Sequence, residues 1–126
     1  MELLIIVFLL GGLFLGWSLG ANDAANVFGT AVGTRMVSFK TAAIVCSLFV
    51  ILGAVISGAG TTETLGKLGA INALPGAFAA CIAAGISVYV MTKVGLPVSP
   101  TQAIVGAIIG WNLYTGSSTN LQVLFT

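Results

Sequence analysis

Six polar side chains stand out in two short stretches of this sequence. Asn22, Asp23 and Asn26 lie in GANDAANVFGTAVG (residues 20–33), and Ser99, Thr101 and Gln102 lie in GLPVSPTQAIVGAIIG (residues 95–110). The first set mixes two chemistries. A carboxylate, two amide oxygens and carbonyls from an unwound backbone would form a cage of hard oxygen ligands for a cation, while the amide N–H groups could donate to an anion. Asp23 is the only acid between residues 3 and 62. An ionisable side chain at membrane depth is costly and is a functional candidate by default.

The second set reads as a helix start. Ser99 followed by Gln102 fits the capping box, in which the serine caps the helix and the glutamine reaches back to it. Pro100 then falls at the first helical position, where its missing N–H costs nothing. The free N–H groups of the first turn and the positive end of the helix dipole make an anion site without a cation. Ser99, Thr101 and Gln102 add side-chain donors. The first stretch is read in the same way, with Asn22 as cap, Asp23 in the first turn and Asn26 one turn beyond. Two discontinuous helices presenting polar starts to each other are the pattern of ion and substrate sites in secondary transporters.

The elements that must hold these residues are set by composition. The chain has 126 residues, 58% of them hydrophobic and 6% charged, with a mean hydropathy of +1.15. Soluble domains carry about a quarter charged residues, so the solvent here is largely lipid. A net charge of +1 without a basic cluster gives nucleic acid nothing to bind. Histidine is absent, which removes the commonest general base and metal ligand. Cys46 and Cys81 sit in apolar runs without metal-ligand spacing and read as small buried hydrophobes. No resident cofactor and no catalytic residues are expected, and an enzyme is not expected either.

A spanning helix needs about 20 apolar residues. Leu3–Ala21, Thr41–Gly60 and Leu74–Thr92 each supply such a run, and residues 61–76 read as an exposed connection with room for a short surface helix. The first run lacks the basic residues that precede a signal peptide's apolar segment, and is read as a retained span. Asn22–Thr34 and Pro100–Tyr114 are too short to span and read as half-helical or re-entrant. Gly29 with Gly33, and Gly106 with Gly110, have the spacing that lets helices approach closely in lipid. The expected fold is all-α and polytopic, with about three spans plus two discontinuous or re-entrant half-helices.

Both stretches resemble motifs of the inorganic phosphate transporter (PiT) family. Residues 20–33 resemble a signature written around G-x-N-D-x-A-N, and residues 95–110 resemble P-V-S-T-T-H-A-x-x-G, in the same order and about 75 residues apart. The resemblance implies a multi-pass protein of the cell membrane that moves phosphate with sodium or protons by alternating access. It implies two homologous halves, inverted relative to each other. The signature occurs once here, so residues 1–126 are expected to form one transmembrane repeat. That repeat is either the N-terminal half of a longer transporter or a half-sized subunit pairing with an inverted copy, and the apolar ending LQVLFT favours the former. A homo-oligomer is expected.

Carried over by position, Asn22, Asp23 and Asn26 form the acidic-amide site, with Asp23 the sodium ligand and both asparagines shared with the substrate. Ser99, Thr101 and Gln102 offer donors to phosphate. Two positions depart from the pattern: Pro100 replaces a threonine, and Gln102 stands where a histidine is common. Loss of that titratable group favours sodium over protons and leaves sulfate or another oxyanion open as cargo. A passive anion channel and a structural subunit without a site of its own are the readings from other classes.

Overall fold

A computed structural model of the chain describes residues 2–68 and 74–119. Four helices follow in order: α1 (Glu2–Gly33), α2 (Phe39–Leu68), α3 (Leu74–Val94) and α4 (Pro100–Thr115). Three segments are long and apolar enough to cross a membrane: α1, residues Phe39–Gly60 of α2, and α3. The described residues are thus those of an all-helical, polytopic membrane protein, and the three expected spans are present.

Residues 61–68, expected in an exposed connection, instead continue α2 as helix, and a second expectation is also corrected. No helix starts at Asn22, and residues 22–33 are the last third of the unbroken 32-residue α1. The reason is the balance of two energies. Asn and Asp inside a helix each cost about 0.7 kcal/mol or less relative to Ala. Unpairing backbone groups away from water costs several kcal/mol each. Residues 21–32 contain no proline to force a break, so the helix continues. The N–H groups around Asn22 are therefore engaged within α1 and are not free for a ligand.

α1 and α3 run parallel. Phe8 meets Phe78 edge to face at 5.6 Å, Trp17 meets Tyr89 at 5.7 Å, and Asn22 meets Thr92. Glycines permit this approach. A Cβ at Gly11 would stand 2.7 Å from the Phe78 ring, and one at Gly85 would stand 2.7 Å from the Phe14 ring. The glycines singled out by spacing do not have this role: a Cβ at Gly29, Gly33, Gly106 or Gly110 would meet nothing within 4 Å. Cys46 and Cys81 are half-buried and free.

α4 returns antiparallel along α3. Ile108 packs on Ala80 in the small core of this hairpin, and the Trp111 indole lies against Gly76 near the start of α3. At 16 residues α4 measures about 24 Å, short of the ~30 Å hydrocarbon core. Its start is the expected one. Ser99 has extended backbone angles and accepts from the Gln102 N–H at 3.4 Å, with Pro100 at the first position. It ends at Gly116 in the left-handed region, φ 70°, where the Gly116 and Ser117 N–H groups donate to the Asn112 carbonyl. α2 leaves a long apolar face, including Phe49, Val55 and Ile56, exposed.

Candidate functional site

Asn22 is the residue on which the site is built. It is 4% exposed, on the face of α1 turned toward α3. Its Nδ2 donates to Asp23 Oδ1 at 3.1 Å and to the Val98 carbonyl at 3.3 Å, and its Oδ1 lies 3.4 Å from Thr92 Oγ1. The Val98 contact bridges 76 positions of sequence and ties α1 to the turn that launches α4. Gly95 enables that turn with φ 76°. The Gly95 and Leu96 N–H groups close the end of α3 by donating to the Thr92 and Met91 carbonyls.

Asn22, Ala25, Asn26, Thr92, Gly95, Leu96 and Pro97 line a cavity of about 240 Å³ between the end of α3 and α1. Asn22 is thus joined by Asn26 on the wall, while Asp23 is exposed beside them and bound to Asn22. The second motif divides. Val98 touches the Asn22 side, but Ser99 and Gln102 open on a separate groove with Ser87 and Met91, along the α3–α4 hairpin. Thr101 is exposed in the first turn of α4. The structure therefore brings the two motifs into contact through Asn22 and Val98, and presents their remaining polar groups on neighbouring surfaces.

Two groups here escape sequence reasoning. Thr92 ends the third apolar run and links it to Asn22 through its hydroxyl; the signal was a hydroxyl in the last turn, next to the Gly-Leu-Pro break. Ser18 lies one turn before Asn22, is buried, and has no hydrogen-bond partner for its hydroxyl among the described residues. A buried serine within an apolar span has no local mark that separates it from a packing residue. Among the described residues no group of three His, Cys, Asp or Glu side chains could hold a metal ion. The chemistry at this site is that of neutral oxygens and amides with one carboxylate.

This arrangement is that of a membrane protein with a small, mostly apolar pocket between packed helices, its polar groups supplied by Asn22, Asn26 and Thr92. Comparison with known proteins makes the class specific. Residues 19–125 match the phosphate transporter family, and the chain belongs to that family. Several relatives carry the name "putative phosphate permease". The one from Chlamydia pneumoniae is 36% identical over 125 residues, covering 92% of this chain and 29% of its own length. The one from Pyrococcus furiosus is 36% identical over 122 residues, covering 90% and 29%. A protein of Plasmodium falciparum named "sodium-dependent phosphate transporter" is 34% identical over 119 residues, covering 86% of this chain and 18% of its own. The chain spans under a third of the length of these relatives. No solved structure matches it.

Proposed function

We propose that this chain forms one repeat of a sodium-coupled phosphate transporter of the cell membrane. The observation that carries the reading is the Asn22–Val98 hydrogen bond. It couples the helix bearing the acid to the start of the helix bearing the hydroxyl and amide donors. Movement of one motif is thereby felt by the other, as cation-coupled anion transport requires. Family membership and the name of the Plasmodium falciparum relative support phosphate as cargo and sodium as partner.

In this mechanism the cation binds beside Asp23, with Asn22 and Asn26 supplying amide oxygens. Its charge lowers the cost of bringing a tetrahedral oxyanion to the same end of the helices. Asn26, Ser99, Thr101, Gln102 and the open first turn of α4 donate to that anion. A second homologous half completes the site, and one half rocks against the other to alternate access. The chain catalyses no bond making or breaking. Because the donors are neutral, sulfate fits the same chemistry and is the second reading.

The test is radiolabelled phosphate uptake into proteoliposomes, with and without an imposed sodium gradient, and with excess sulfate as competitor. Sodium-driven uptake that sulfate leaves intact is expected, and Asp23→Asn abolishes the sodium dependence. Uptake in Asp23→Asn that still follows the sodium gradient refutes the cation assignment. Flux that is linear in phosphate gradient and indifferent to sodium in the parent protein identifies a passive channel instead.

A further inference from the structure

Thr92 carries one hydroxyl proton and stands near two acceptors. The Val88 carbonyl is 2.8 Å from its Oγ1, and Asn22 Oδ1 is 3.4 Å away. A helical threonine bonds readily to the carbonyl one turn back, and the shorter contact holds the proton. Thr92 Oγ1 then turns a lone pair toward Asn22. The Asn22 amide cannot rotate to answer with its nitrogen. Nδ2 faces Asp23 Oδ1 and the Val98 carbonyl, which are both acceptors, so the amide oxygen is the atom left to face Thr92. Two acceptor oxygens therefore confront each other, with no proton held between them. Both residues line the same cavity of about 240 Å³, with Asn26 on its wall.

The spacing has a chemical meaning. For hard cations of calcium's size, which sodium shares, oxygen ligands stand at about 2.4 Å, and two at right angles are then about 3.4 Å apart. We propose that Asn22 Oδ1 and Thr92 Oγ1 are adjacent ligands of a monovalent cation, and that Thr92 is a cation-binding residue of the transporter. The charge balance favours a monovalent ion. Asp23 is the acidic group bound beside the pair, and the ligands themselves are neutral. Calcium and magnesium sites draw on several carboxylates. The neighbouring cation, Lys93, has its ammonium 5.7 Å over the Tyr89 ring, one turn back along α3. Asn22 is consequently a cation ligand through its oxygen; its N–H donors are already engaged and are not offered to the anion.

This inference rests on the cation-coupled reading above, and the experiment separates the two. Phosphate uptake by the complete protein in proteoliposomes is measured as a function of sodium for the parent, Thr92→Val, Thr92→Ala and Thr92→Ser. Sodium-dependent thermal stabilisation of each purified protein is measured beside it. Valine keeps the shape of threonine and removes the ligand oxygen. The sodium concentration for half-maximal uptake rises at least tenfold in Thr92→Val and Thr92→Ala, while the phosphate KM at saturating sodium moves less than twofold. Thr92→Ser returns both values to within twofold of the parent, and sodium stabilises only the parent and the serine variant. Should valine fail to pack, the alanine and serine pair carries the comparison. Unchanged sodium half-saturation in a folded Thr92→Val or Thr92→Ala overturns this proposal alone. A parent protein whose uptake and stability ignore sodium overturns the cation coupling itself.

Discussion

Asn22→Ala tests the link between the two motifs most directly. The substitution removes three contacts of unequal worth. The Val98 carbonyl is half-buried and loses its donor at 3.3 Å, and an acceptor left unpaired under those conditions costs about 1–3 kcal/mol. Asp23 is exposed, so water replaces the lost donor there at about 0–1 kcal/mol. Thr92 keeps its 2.8 Å bond to Val88 and loses little. The expected loss is about 2 kcal/mol, near a thirtyfold shift in equilibrium, concentrated on the turn at residues 95–98. The assay is hydrogen–deuterium exchange of the purified, reconstituted protein, read at the Leu96 N–H, which donates to the Met91 carbonyl at 3.0 Å. If opening of this turn precedes exchange, the rate at position 96 rises tenfold or more with Asn22→Ala, while exchange in the middle of α3 does not change. A rate at position 96 within twofold of the parent would refute the claim that Asn22 holds the turn in place.

Gly85→Ala pushes a methyl group to 2.7 Å from the Phe14 ring, and a loss of about 1–3 kcal/mol is expected in an unfolding titration in mixed micelles. Gly106→Ala, inside α4 where a Cβ meets nothing within 4 Å, serves as the control and leaves stability unchanged or raises it by up to about 1 kcal/mol. Arg35, two residues beyond the end of α1, has φ 60°, a conformation that costs a residue with a side chain about 1 kcal/mol. Arg35→Gly is expected to raise the thermal midpoint of the purified protein, and a fall would show that the arginine side chain holds that end through other contacts.

The two motifs differ in how far the sequence could be read. At Ser99 the determining interactions are local. A serine hydroxyl, a proline at the next position and an N–H three residues on lie within one turn, so the residues alone specify where α4 begins. The spans were legible for a similar reason: an apolar run of 20 residues in lipid can satisfy its backbone only as a helix. Asn22 and Asp23 carry the same cap-forming character, yet they sit inside α1. A cap residue makes a helix start available without requiring one, and the cost of unpairing backbone in an apolar setting outweighs the small propensity penalty of two polar residues. The glycines show the same division. Spacing named Gly29, Gly33, Gly106 and Gly110, whereas close packing falls on Gly11, Gly76 and Gly85 because those face the aromatic rings of a neighbouring helix.

The amino-acid sequence by itself determined that this chain belongs in a membrane, that it holds three apolar spans and a helix starting after Ser99, and which two stretches carry polar chemistry. Each of those follows from composition or from contacts within a turn or two of chain. Only the tertiary structure decided that Asn22 points into the α1–α3 seam, that its nitrogen is taken by Val98, and that its oxygen faces Thr92. Those partners lie 70 and 76 positions away. Which atom of an amide is left for a ligand depends on who occupies the other, and that is settled by the parallel packing of α1 on α3.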